Sequence, residues 1–170
     1  EGMKKSLDRA LSEMDIPSID LFLLHEQESY LTLAGHRPAL EYLLEAKAAG
    51  LVRAGGFSCH TVAALLAAVD MPEIDVVHPL VNMRGIGVRD GTAADMLSAV
   101  ERLHAAGVGI FAMKPLGGGH LIARSGEAFR YVLGQACLDA VAVGMVTEDE
   151  IRYNCSLFSG EPVSAATGEQ

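Results

Sequence analysis

The sequence has no tryptophan, few aromatic residues and only three cysteines, Cys59, Cys137 and Cys155. These cysteines are far apart and in no CxxC pair, so they form neither a disulfide framework nor a zinc site. A reducing, cytoplasmic setting is therefore expected. Basic residues are scarce too: 13 Lys plus Arg face 22 Asp plus Glu, a formal charge of −9. That deficit argues against a nucleic-acid partner, because phosphate contacts need a basic surface. No apolar run approaches the roughly 20 residues of a membrane span, and no signal peptide is visible, so no membrane partner is expected. Low-complexity stretches are absent as well.

Half of the 170 residues are hydrophobic, enough for one domain with a sizeable core. The chain opens on Glu1 inside what already reads as a helix, so an N-terminal portion is expected to be missing. Met3, Leu7, Ala10, Leu11 and Met14 recur at helical spacing over 2–14, and Pro17 follows. Ile19–Leu24 is an apolar run of strand length ending at His25, before a polar loop at 26–37. Pro38 opens a helix that Gly50 closes.

The unit then repeats. Strands are predicted at 52–57, 74–81, 108–113 and 138–143. Helices are predicted at 62–69, capped by Thr61, and then at 92–106, 126–136 and 148–158. Thr147 and Glu150 form a capping box for the last. Residues 1–158 read as one domain and 159–170 as a frayed polar tail. Four of the strands are nearly continuous apolar runs, as expected where both faces are buried. Alternating strands and helices imply an α/β fold with a parallel sheet. That sheet is either open and doubly wound or part of a (β/α)8 TIM barrel of which this chain supplies about five βα units. In both, chemistry sits at the C-terminal ends of the strands.

Each strand end has a bland reading beside a functional one. His25 is a structural histidine or a group that polarises a substrate carbonyl. Ser58-Cys59-His60 is a helix cap with a tight turn or a set of small polar contacts, and Cys59 is a nucleophile only with a depressed pKa. His78 and Asn82 flank Pro79; Asn82 contacts a planar ring or ties up the loop Arg84–Gly87. Lys114-Pro115-Leu116-Gly117-Gly118-Gly119-His120 is a flexible connection or an anion cradle of approachable backbone N–H groups. Gly144–Thr147 leads into a helix N-terminus, where Glu148, Asp149 and Glu150 suit capping but repel a phosphate.

Three stretches together resemble the aldo-keto reductase family. They are Ser6–Leu11 with Ile19–His25, Gly50–Ser58, and Ala142–Met145 with Glu150–Asn154. Met113–Gly119 is similar to the branch whose members often carry a C-terminal iron–sulfur segment, although this chain has no cluster-binding cysteine set. The resemblance spans about residues 2–158. It implies a (β/α)8 barrel with strands four to eight supplied here, and hydride transfer between NADP(H) or NAD(H) and a small-molecule carbonyl or alcohol. Of the family's Asp, Tyr, Lys and His tetrad, only the His has a counterpart, His25. Ser58 matches the position that binds the nicotinamide carboxamide, and Cys59 stands where an Asn is usual. Pro115, Leu116 and Gly117 match the pyrophosphate loop, and Asn154 matches an adenine contact. Glu150 stands where a basic residue often meets a 2′-phosphate, which weakens the case for NADP. With Asn82, Lys114, Gly118, Gly144 and Met145, these are the candidate cofactor-binding residues.

Two rivals remain at this point. One is a non-catalytic nucleotide-binding barrel lacking the Tyr, Lys and Asp. The other is a different α/β enzyme on a doubly wound sheet using Cys59 or His25. Five strands alone cannot close an eight-strand barrel and would leave an edge open.

Overall fold

The computed structural model describes residues 1–159. The elements run α1 (Gly2–Met14), β1 (Ile19–Leu24), α2 (Tyr30–Gly35), α3 (Arg37–Ala48), β2 (Val52–Cys59), α4 (Val62–Ala68), β3 (Val76–Pro79), α5 (Ala93–Ala105), β4 (Gly109–Ala112), α6 (Ser125–Leu133), β5 (Ala140–Val141) and α7 (Glu148–Ser159). The five strands form one parallel sheet whose spatial order is the chain order, β1-β2-β3-β4-β5. A doubly wound sheet reverses its order at a switch point; this one does not. Right-handed crossovers that always step the same way put every helix on one face, as in a barrel. The rival on a doubly wound sheet is corrected by that order.

The core lies between that face and the helices. Phe57, Val77, Ile110 and Ala112 project from β2, β3 and β4 into it. There they join Leu40 and Leu43 of α3, Leu65 of α4, Met96, Val100 and Leu103 of α5, and Phe129 of α6. Phe57 is fully buried, so truncating it to Ala would cost about 3–5 kcal/mol. Alternation puts Ser58, His78 and Phe111 on the opposite face. There the His78 ring stacks on Phe111 with centroids 4.4 Å apart. The expected burial of both strand faces fails in β1, where Leu21 remains 42% exposed.

The helix boundaries follow from local chemistry. α1 stops where Asp15 turns left-handed at φ 51°, and its backbone N–H donates to the Leu11 and Ser12 carbonyls. Thr92 and Asp95 form a reciprocal capping box at the start of α5. At α7 the Thr147 hydroxyl accepts from Glu150 N, and Glu150 Oε2 accepts from Thr147 N.

Four expectations need correction. The polar loop at 26–37 contains α2, because Ser29 and Thr32 cap each other; the pairing was missed because Thr stands where Glu or Gln is usual. Tyr30 therefore lies on a helix. Thr61 precedes α4 without capping it: its hydroxyl donates to Glu28 O, and the Asp90 carboxylate accepts from Val62 N and Ala63 N instead. β3 is shorter than 74–81, and beyond it Leu80 makes only an isolated bridge to Met113. β5 is only two residues long, since Leu138 N is spent closing a turn onto Gln135 O and Asp139 N donates to Ile110 O before the ladder begins. Within the tail expected at 159–170, residues 160–170 lie outside the described residues.

One close approach decides where β2 and β3 can pair. A Cβ on Gly56 would lie 1.7 Å from the Val76 carbonyl oxygen, so only glycine fits there.

Candidate functional site

Because the strands are parallel, their C-terminal ends share one edge of the sheet. That edge collects His25, Ser58, His60, Lys114 and Gly144, each just past or at the end of its strand. β1 and β4 are three strand intervals apart, about 14 Å at the usual spacing of neighbouring strands.

The β1 end is pinned to β2. Ser58 accepts through Oγ from Glu26 N at 3.2 Å and through its carbonyl from Gln27 N at 2.8 Å. Gln27 is 1% exposed; its amide donates to the His25 carbonyl at 3.2 Å, and its Oε1 accepts from His36 Nδ1 at 2.9 Å. His25 itself is exposed. Gln27 thus fixes the backbone on which His25 sits, a contribution that its place in a polar stretch did not signal.

A charged chain crosses the same edge. Glu26 Oε1 lies 2.6 Å from His60 Nδ1 and 3.0 Å from an Arg89 nitrogen, and Arg89 also pairs with Glu28. Lys114 Nζ lies 2.9 Å from His60 Nε2. The ammonium can only donate, so His60 accepts on Nε2, while Nδ1 meets Glu26 Oε1 as a close charge contact without an aligned hydrogen bond. Burial and the nearby Lys114 hold His60 below its ordinary value, against the pull of Glu26. Glu26 and Lys114 both adopt left-handed backbone, at φ 39° and φ 57°. Such strain in non-glycine residues concentrates at ligand clamps and active sites.

Two cavities open at the β4 end. The larger, about 640 Å³, lies between the Lys114–Gly119 turn, α6 and the start of α7. Its wall is mostly apolar, from Met113, Leu116, Ile122, Phe129 and Val143, with polar groups from Ser125, Glu150, Tyr153 and Asn154. The Ser125 and Tyr153 hydroxyls are 3.3 Å apart. The smaller cavity, about 440 Å³, lies on the other side of the same turn, against His60, Arg89 and His120. Lys114 and Gly118 line both. Gly118 has φ 67°, and a Cβ there would meet nothing within 4 Å, so its backbone faces open space.

The family model described as the aldo/keto reductase family matches residues 1–131. The chain belongs to the aldo/keto reductase family. The fold agrees with solved members. A protein from Pseudomonas aeruginosa described as an aldo-keto reductase superimposes with a TM-score of 0.76 at 23% identity, covering 93% of this chain and 58% of that one. The holo form of an aldo-keto reductase from Bacillus halodurans gives 0.75 at 16% identity, covering 96% and 61%. An aldose reductase from Giardia lamblia gives 0.66 at 15% identity, covering 95% and 63%. No curated protein sequence matches the chain. At these identities the likeness establishes the fold: the five βα units are part of a (β/α)8 barrel. The chain spans about three-fifths of each of these structures.

Within this aldo/keto reductase chain, Lys114, Pro115, Leu116, Gly118, Gly144 and Asn154 line one cavity. The remaining candidates do not. Gly117 is turned away, toward Ile86 and the smaller cavity. Met145 is exposed between two lining residues, Gly144 and Val146. Asn82 is 2% exposed; its amide donates to Ile86 O while its Oδ1 accepts from Arg84 N and Ile86 N, so it ties up its own loop. Cys59 is fully buried in the helix-facing core, and burial pushes its thiol up to about 12, which corrects both its contact role and its nucleophile role. Ser58 keeps its place on the barrel face. The reading missed Ser125, Phe129 and Tyr153, whose positions on α6 and α7 looked like ordinary helix faces.

Proposed function

We propose that the protein is an oxidoreductase that uses a nicotinamide dinucleotide, NADP(H) or NAD(H), to interconvert a small carbonyl compound and its alcohol. The observation that carries this reading is the larger cavity. It joins an apolar slot, of a size for a planar base, to a glycine turn with a lysine beside it, at the edge of the sheet where barrels of this kind hold ligands. Family membership narrows the chemistry, since fold alone does not give function.

The cavity fits such a group. Asn154, Tyr153 and Ser125 offer hydrogen bonds to a base or ribose, while Ile122, Phe129 and Val143 cover its faces. The open backbone at Gly118 and the Lys114 ammonium suit phosphate oxygens. A nicotinamide dinucleotide supplies or accepts the hydride when bound. Ser58 has a hydroxyl free to donate while its oxygen accepts from Glu26 N, which suits an amide carbonyl. His25 offers an imidazole N–H to the substrate carbonyl oxygen and so stabilises the negative charge that grows there. Gln27 holds that imidazole's backbone in place. Glu150 weakens the site for a 2′-phosphate, which favours NAD(H).

Titrating NADH and NADPH against the protein and following fluorescence tests this reading. Saturable binding that Gly118→Val abolishes is expected; no binding of either dinucleotide would overturn it. The second reading is a non-catalytic nucleotide-binding barrel. Among the described residues Tyr30, Tyr42, Tyr131 and Tyr153 all lie on helices, none at a strand end, so these five strands supply no tyrosine to a substrate carbonyl. Dinucleotide binding with no turnover across a panel of aldehydes and ketones would select it.

A further inference from the structure

Glu26 follows His25 directly, and the function proposed above gives its side chain no role. Its backbone is left-handed at φ 39°, a conformation that a residue with a Cβ keeps only where its surroundings hold it. Its Oε1 is buried and has no aligned hydrogen bond among the described residues. Arg89, with a nitrogen 3.0 Å away, supplies the positive charge that balances this oxygen, and His60 Nδ1 lies 2.6 Å from it. Without Arg89 a carboxylate withdrawn from water would be left uncompensated.

Arg89 is itself fixed. Its backbone N–H donates to the His60 carbonyl at 3.1 Å, and its guanidinium also pairs with Glu28. The next residue, Asp90, accepts from Val62 N and Ala63 N at the start of α4. Asn82 knots the first turn of the same β3–α5 connection. The end of β1 is therefore held from two directions. Ser58 takes the backbone N–H groups of Glu26 and Gln27, and Arg89 takes the Glu26 carboxylate.

We propose that Glu26 and Arg89 are positioning residues for His25: their ion pair holds the left-handed turn at Glu26, and that turn sets the direction of the His25 imidazole. The proposal rests on the reading of His25 as the group that polarises the substrate carbonyl. A rigid peptide plane joins the two residues. Relaxation of Glu26 toward an extended φ rotates that plane and carries His25 with it. A donor aimed at developing charge works only if its geometry is fixed beforehand. Neither Glu26 nor Arg89 needs to touch the substrate for this effect.

The test uses the whole chain with Arg89→Met, Arg89→Lys and Glu26→Gly. The coupling between the amide and α protons of Glu26, read by NMR, reports its φ. In Arg89→Met it should move to the value of extended backbone. Arg89→Lys keeps the charge and should recover most of the native value. Glu26→Gly removes the anchor and the strain together, so it should fold normally while the His25 imidazole signals, assigned with His25→Gln, shift and broaden. In carbonyl reduction with NADH, Arg89→Met and Glu26→Gly should lower kcat by about tenfold to a hundredfold, with the dinucleotide Kd unchanged. An unchanged Glu26 coupling in Arg89→Met overturns the proposal. So does a native kcat in Glu26→Gly, which would leave the ion pair a merely structural role. The NMR measurements need no turnover: a chain that reduces no carbonyl refutes the oxidoreductase reading, while the coupling still decides whether Arg89 holds the turn beside His25.

Discussion

Lys114 and His60 are 54 positions apart in the chain, yet Nζ of one lies 2.9 Å from Nε2 of the other. The parallel sheet makes this possible: both follow strand ends at the same edge, with β3 between them. Lys114 adopts a left-handed backbone just before Pro115, and its side chain lines both cavities of the glycine turn. The two residues therefore tie the end of β2 to the glycine turn after β4.

Gly56→Ala is expected to destabilise the protein by about 3 kcal/mol or more. The new Cβ would lie 1.7 Å from a main-chain oxygen of β3, which cannot move aside as a flexible side chain would. Gly35→Ala, where a Cβ meets nothing within 4 Å, should change stability little. Urea unfolding of the two variants checks the contrast; equal midpoints would remove the argument for close strand approach.

Stability should decline as the pH falls below about 6.5. Burial holds His78 below its ordinary value, although its bond to the Phe111 carbonyl pulls the other way. Burial and Lys114 hold His60 below it too. The unfolded chain then takes up protons that the folded chain refuses. The stabilisation is complete above the unfolded value and is lost as the pH drops toward the folded ones. The carboxylates of Asp95 and Glu127 sit below their ordinary values, so their contribution is lost only at lower pH. Melting temperatures from pH 7.5 to about pH 5 isolate the histidines. His78→Gln should flatten the slope, and an unchanged slope would count against the assignment.

Cys155 should react with a thiol reagent in the native protein, while Cys59 should react only on unfolding. Cys155 is exposed; Cys59 is fully buried, and its thiolate is suppressed by desolvation. Peptide mapping after brief labelling, with and without denaturant, distinguishes the two. Native labelling of Cys59 would restore the nucleophile reading that burial removes.

Glu150→Gln should improve NADPH affinity relative to NADH by several-fold. The carboxylate lines the larger cavity and accepts from Val146 N at 2.6 Å, a bond that a glutamine carbonyl can keep. Only the charge changes, so the helix start survives while the repulsion of a 2′-phosphate is removed. Parallel titrations of the two dinucleotides read the ratio, and an unchanged ratio would place the 2′-phosphate away from Glu150.

The architecture was readable because its signals are local and repeated. Apolar runs of strand length, each followed by helical spacing, appear five times, and each appears as a βα unit. The failures were long-range. Nothing near Thr61 tells that its hydroxyl is claimed by Glu28 and that Asp90 caps α4 from another connection. Asn82 and Cys59 occupy strand ends where ligand contacts were expected, but one closes its own loop and the other faces the helices. Strand alternation sends Cys59 to the opposite face from Ser58, and a one-residue difference in strand register decides such an outcome.

The sequence by itself determined the α/β alternation, the strand ends that could carry chemistry and the resemblance to aldo-keto reductases. Hydrophobic periodicity and turn residues act over a few positions, so they are written in the chain. Only the tertiary structure decided which strand-end residues share a cavity, that two cavities flank the glycine turn, and that Lys114 meets His60. Those contacts join side chains from different βα units, and their geometry is set by strand order and side-chain direction, which no local pattern encodes.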